Sequence, residues 1–268
     1  MDPGPVRDVL TVALGVLTGA LSGMFGVGGA VVSTPGIRAL GASALVAVGT
    51  TLPSIIPGAA SGTARYLREH LIDWRIVWWT APAGIAASVI GSLLSRVIPG
   101  EGHLLMLLTA ALLGWSALRT YRSGPAPAPA AAAETETLSP APPDARPAPY
   151  VAVGIVAGLL SGLLGVGGGI VMVPGFTQVG KMGIKAAIAT SLACVAIFAI
   201  PGTITHALLG DIDWRFALLL AAGVIPGARV GATLAIRTSD RRMRLVVAIF
   251  LGLTSVIYAA GELNALLG

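Results

Sequence analysis

Two glycine runs, Gly26-Val27-Gly28-Gly29 and Gly165-Val166-Gly167-Gly168-Gly169, interrupt long apolar stretches of this 268-residue chain. Glycine loses the most conformational entropy on ordering, so such a run ends one helix readily and lets another begin behind it. The first turn of the second helix carries unpaired N–H groups and the positive end of the backbone dipole, which together favour an anion. Two such ends meeting at one depth would make a small anion site. Hydroxyls stand nearby in sequence: Thr50 and Thr51, Thr190 and Ser191, with Ser22 and Ser161 one turn ahead of the runs. Two ordinary packing roles compete with this reading. Hydroxyls in apolar helices usually bond to their own backbone or across to a neighbouring helix, and small residues allow close helix packing.

Arg229 is the one charge well inside an apolar stretch. It stands eight residues from Arg237, about 12 Å along a helix rising 1.5 Å per residue. A guanidinium can grip sulfonate or carboxylate oxygens bidentately, and snorkelling to an interface is the alternative. Its first-half counterpart is Val89, so any such role belongs to one half only. Acidic residues such as Asp73, Glu101, Asp211, Asp213 and Glu262 all fall in loops, a linker or stretch ends. Proton-driven transporters usually place Asp, Glu or His within the membrane. The sequence therefore predicts uncoupled movement, or coupling through a substrate's own protonation. His206, aligned with Tyr66, could carry a proton but reads as an interfacial histidine. Trp74, Trp78, Trp79 and Trp214 sit near stretch ends, as an aromatic belt does. Cys194 reads as a core residue. No nucleophile elbow, metal-binding helix pair, paired carboxylates or phosphate loop occurs. Hence no catalytic residue, metal or cofactor is expected, and an intramembrane enzyme is the weaker alternative.

The elements that position these residues are membrane helices. Hydrophobic residues make up 55% and charged residues 11%, whereas a soluble domain carries about a quarter charged residues. Mean hydropathy is +0.86. This is the composition of an all-α polytopic membrane protein whose first partner is the lipid bilayer. The net charge of +5 could suggest nucleic acid, but Lys and Arg flanking spans report orientation instead, so no nucleic-acid partner is expected. No motif specifies an oligomer; a homodimer stays open. The N-terminus lacks a signal-cleavage pattern and reads as mature protein.

Gly19–Gly36 matches Gly158–Gly175, Asp73-Trp74-Arg75 answers Asp213-Trp214-Arg215, and Gly91 answers Gly231. The offset is about 140 residues throughout. Two homologous membrane halves, 1–122 and 150–268, thus flank a Pro/Ala-rich linker at 123–149. Each half has four apolar segments. The first, near 29 residues, is too long for one straight span of about 20. If it crosses the membrane, Lys and Arg divide evenly between the sides. If it dips in and returns, the second half is inverted. One side then holds Arg65, Arg68, Arg75, Arg119, Arg122, Arg146, Lys181, Lys185, Arg237, Arg241, Arg242 and Arg244, and the other only Arg7, Arg38, Arg96 and Arg215. The positive-inside rule favours this re-entrant, inverted arrangement, with the linker cytoplasmic and both termini outside. Paired interrupted segments in inverted halves point to a transporter's substrate site.

The duplicated element G-L-x-S-G-x-x-G-V-G-G-G-x-x-x-x-P, followed by Ala189-Thr190-Ser191-Leu192 or Gly49-Thr50-Thr51-Leu52, resembles the TauE/SafE sulfite-exporter family. The resemblance covers both halves and fails in the linker. It implies transport of a small sulfur-containing or carboxylate anion across the cytoplasmic membrane, by a carrier or, alternatively, a channel. The first copy departs from the pattern at Ala30 and Ser33-Thr34, so the two half-sites are expected to be unequal. The candidate substrate-binding set is Gly26, Gly28, Gly29, Gly165, Gly167, Gly168, Gly169, Arg229, Thr50, Thr51, Thr190 and Ser191.

Overall fold

A computed structural model describes residues 4–94, 103–122, 146–165 and 167–267. Val166, Arg96 and the linker as far as residue 145 lie outside the described residues. The described residues form α1 (Pro5–Phe25), α2 (Ala30–Ala39), α3 (Ala44–Leu67), α4 (Trp74–Leu94), α5 (His103–Arg122), α6 (Pro147–Leu164), α7 (Gly169–Gln178), α8 (Ile184–Leu209), α9 (Trp214–Arg237) and α10 (Asp240–Leu267). Seven of them (α1, α3, α4, α6, α8, α9 and α10) are long and apolar enough to cross a membrane. Their outward faces are apolar as well: Val9 and Leu17 on α1, Leu218 and Val230 on α9, Leu253 and Val256 on α10 are all exposed. Apolar exposure on that scale suits lipid rather than water. The chain is an all-α, multi-pass membrane protein.

Each long first segment folds back on itself. α1 ends at Gly26, whose N–H bonds to the Ser22 carbonyl at 2.8 Å, and Gly26, Gly28 and Gly29 have φ of 69°, 89° and 76°. Side chains rarely tolerate that backbone path, which is why glycine occupies it. α2 then returns along α1. A Cβ on Gly29 would meet Thr18 and Ser22, one on Gly36 would meet Leu14, and Arg7 donates to the Leu40 carbonyl. In the second hairpin Gly165, Gly167 and Gly168 have φ of 65°, 81° and 70°. α7 returns along α6, with Gly168 against Ala157, Gly175 against Val153, and the Tyr150 hydroxyl donating to the Gly180 carbonyl at 3.1 Å.

The helices leading into the breaks pack chiefly across the molecule, α1 along α9 and α6 along α4. Gly15, Gly19 and Gly23 on α1 interlock with Gly223, Gly227 and Gly231 on α9. A Cβ on Gly23 would fall on the Ala228 carbonyl, and one on Gly231 on the Ala20 carbonyl. Gly154, Gly158 and Gly162 on α6 meet Thr80, Gly84 and Ser88 on α4 in the same way. Small residues at every fourth position let two backbones touch. The glycines of the runs are closely packed as well, Gly26 against Ser191 and Ile188 and Gly168 against Ala157.

α3 and α8 form the centre and run antiparallel, with Leu52 facing Gly202 and Gly62 facing Leu192. α5 and α10 are also antiparallel: Gly114 faces Ser255, whose hydroxyl donates to the Ala110 carbonyl at 2.7 Å. One end of the bundle gathers the ends of α3, α5 and α9 and the starts of α4, α6, α8 and α10. It is held by Arg119 to Gln178 at 3.2 Å and Lys185 to the Ile236 carbonyl at 2.9 Å. The opposite end has the start of α1, where Arg215 pairs with Asp8 at 2.7 Å. Among the described residues, Arg7, Arg38 and Arg215 lie at this second end, whereas the twelve-residue cationic set named above lies at the first.

Candidate functional site

The two breaks meet inside the molecule. A Cβ on Gly167 would stand 3.5 Å from the Gly28 Cα, and one on Gly169 would collide with the Gly26 carbonyl and Val27. The first residue of α7 therefore abuts the carbonyl of Gly26, the residue that caps α1. Phe25, Val27, Ala30 and Val31 around the meeting point are buried. Non-helical backbone at membrane depth is tolerated where protein buries it in this way.

Hydroxyls hold the hairpins in place. The Ser191 hydroxyl lies 3.0 Å from the Gly26 carbonyl and 2.9 Å from the Ile188 carbonyl, so its proton joins the first hairpin to α8. Thr51 donates to the Val48 carbonyl at 2.9 Å and sits 3.5 Å from the Thr34 hydroxyl on α2. Val48 in turn packs against Gly165. The counterparts of Ser33 and Thr34 in the second hairpin are Met172 and Val173, both buried and apolar. The first hairpin thus has a polar flank that the second lacks.

Thr50 and Thr190 do something else. Thr50 Oγ1 accepts from the Asp213 N–H at 2.9 Å, and Thr190 Oγ1 accepts from the Asp73 N–H at 3.0 Å. Asp213 caps α9 by accepting from the N–H groups of Arg215 and Phe216, and Asp73 caps α4 through Arg75 and Ile76. Each threonine therefore anchors the turn that starts a helix in the other half of the chain. Thr190→Val should leave the Asp73 N–H unsatisfied and lower stability by about 1–3 kcal/mol. Thr50→Val should do the same at Asp213, and the double variant should show the sum because the sites share no partner. Thermal unfolding of the purified protein checks both, and a double variant no worse than either single one would contradict the assignment.

Arg229 is not brought to the breaks. It is exposed on the outer face of α9, beside exposed Ile225, Val230 and Leu234, while Gly227, Ala228 and Gly231 make the buried face. Ser22 and Ser161 are buried, and their carbonyls accept from the Gly26 and Gly165 N–H groups. Three anchors had no sequence signal. Tyr66 donates to the Gly23 carbonyl at 2.6 Å, Tyr258 on α10 to the Val31 carbonyl at 3.0 Å, and Ser116 on α5 to the Ile170 carbonyl at 3.1 Å. Val31 and Ile170 are matching positions, so α10 and α5 each hold the first turn of one returning helix. Among the described residues, no three His, Cys, Asp or Glu side chains gather as a metal site.

A family model described as "Sulfite exporter TauE/SafE" matches residues 11–258. The chain belongs to the sulfite exporter TauE/SafE family. Relatives of this TauE/SafE protein include the "Probable membrane transporter protein YunE" of Bacillus subtilis (strain 168), 25% identical over 91% of this chain and 94% of that one. A "Probable membrane transporter protein" of Xylella fastidiosa (strain 9a5c) is 29% identical over 86% of both. The "Probable membrane transporter protein MamO" of Paramagnetospirillum magneticum is 28% identical over 87% of this chain but 41% of its own length. No solved structure matches the chain. Family and relatives together mark the TauE/SafE protein as a membrane transporter.

Proposed function

We propose that this TauE/SafE protein carries small anions, of sulfite, organosulfonate or small-carboxylate type, across the cell membrane by alternating access around the meeting point of its two glycine hairpins. The observation that supports this is the approach of Gly167 to Gly28. Two buried breaks, each opening a helix N-terminus, stand back to back between antiparallel α3 and α8. Parting them frees the N–H groups of Ala30 and Gly169 for an anion; closing them returns the start of α7 to the Gly26 carbonyl. The glycines, Ser191 and the Thr34–Thr51 pair form the walls, and Thr50 and Thr190 support the frame. The positive-inside rule makes the cation-rich end cytoplasmic, so the start of α1 and the end of α10 face outward.

Thermal stability of the detergent-purified protein across sulfite, sulfate, thiosulfate, organosulfonates and small carboxylates tests the site. A ligand bound only by the folded state stabilises it by about 2.7 kcal/mol at a hundredfold excess over Kd. One anion should give a selective shift, and its uptake into proteoliposomes should saturate. Conductance without saturation would overturn the carrier reading. Because Arg229 faces outward, Arg229→Ala should leave the anion-induced shift intact. Loss of that shift would return Arg229 to the site.

A further inference from the structure

His206 and Asp211 form a buried ionisable pair at one end of α8. His206, in the last turn of α8, is 0% exposed. Its Nδ1 lies 3.2 Å from Asp211 Oδ2, and its Nε2 is buried with no hydrogen-bond partner among the described residues. Asp211 sits in the loop between α8 and α9 with 11% of its side chain exposed. The pair lies at the end of the bundle where α1 starts, with the imidazole on the buried side of the carboxylate.

Register puts His206 at the level of the second hairpin. Gly202 faces Leu52 across the antiparallel α3–α8 pair. One turn further along α8, His206 is level with Val48, the residue against which Gly165 packs. Tyr66, the matching position in the first half, reaches the first hairpin by donating to the Gly23 carbonyl. A neutral phenol in one half thus corresponds to a titratable imidazole backed by a carboxylate in the other. α3 brings Val48 and Leu52, α4 brings Ser88 against Gly202, and the second hairpin brings Gly165. Along the loop, Asp213 is occupied in capping α9 and Arg215 is paired with Asp8. From its place at a stretch end, Asp211 looks external in sequence; the fold turns its carboxylate onto His206.

We propose that His206 and Asp211 form a proton-binding site that couples anion movement to the proton gradient. The proposal rests on the transporter reading above. With the imidazole neutral, the pair carries one negative charge near the Gly165 break and repels an entering anion. A proton taken up by the carboxylate–imidazole contact between Asp211 Oδ2 and His206 Nδ1 makes the pair neutral, so proton and anion are taken up together. Release of the anion restores the repulsion and expels the proton on the same side.

The test uses the full-length protein in proteoliposomes, with methanesulfonate (ionised at every working pH) and sulfite as probes. Exchange of labelled for unlabelled probe is measured without a pH gradient, and net accumulation is measured after a pH step. Wild-type vesicles should do both. Asp211→Asn, which removes the repelling charge, should retain exchange but lose pH-driven accumulation by about tenfold or more, the scale of a coupling between sites, whereas His206→Gln, which leaves the carboxylate charged, should lose both. Size-exclusion profiles in detergent check that each variant folds, and loss of pH-driven accumulation is expected of both, so a folding failure of one leaves the other decisive. Wild-type exchange without any response to pH overturns the proposal, as do variants that accumulate like wild type. No exchange with either probe instead overturns the anion-transport reading, and the proton site falls with it.

Discussion

Gly168→Ala should destabilise the purified protein by about 2–5 kcal/mol, the sum of two separate penalties. A left-handed backbone costs a side-chain-bearing residue about 1–2 kcal/mol, and Gly168 has φ of 70°. Overfilling a packed site adds about 1–3 kcal/mol, and the new Cβ would press on the Ala157 carbonyl, which belongs to the backbone of α6 and cannot rotate aside. Gly210 separates the two terms. Its φ is 76°, yet nothing lies within 4 Å of a Cβ placed there. Gly210→Ala should therefore show the conformational term alone. Thermal unfolding of both variants measures the difference. Equal losses would mean that the hairpin is not tightly held against α6. Because Gly168 opens α7, its variant should also transport less per folded molecule than Gly210→Ala.

The second large effect is expected where helices touch through glycine. Gly162→Val should leave little folded protein, because its Cβ would overlap the Ser88 carbonyl on α4. Gly23→Val should fail likewise against the Ala228 carbonyl on α9. In both cases two backbones would have to separate along the interface, which exceeds the about 1–3 kcal/mol of ordinary overpacking. Gly261→Val, on α10 with nothing within 4 Å of a new Cβ, makes the same change in helix propensity without the clash. Size-exclusion profiles in detergent should show a monodisperse peak for Gly261→Val and aggregate for the other two. Aggregation of all three would trace the effect to valine in a helix rather than to the interface.

Local chemistry was enough for much of this protein. The glycine runs demand backbone breaks whatever surrounds them, because three positive-φ residues in close succession suit only glycine. An apolar chain with few charges can be stable only in lipid and, with every backbone group paired, only as helices or a closed barrel. The recurrence of Gly19–Gly36 at Gly158–Gly175 identified the breaks as a pair.

What the residues do beyond that depended on which faces of the helices meet. Arg229 looks central by depth along α9, but depth says nothing of rotation about the helix axis. The glycine stripe Gly223, Gly227 and Gly231 marks the packed face of α9, and packing against α1 and α3 turns Arg229 outward. Thr50 and Thr190 looked like wall hydroxyls until the antiparallel α3–α8 pair placed each under an aspartate N–H from the other half of the chain. The burial of His206 and its contact with Asp211 depend on how a four-residue turn folds back. Sequence determined the membrane-helical character and the paired breaks, since these follow from backbone conformation and solvation. Only the tertiary structure decided which polar groups face the breaks, the helix caps or the lipid, because that is set by the rotation and register of helices far apart in the chain.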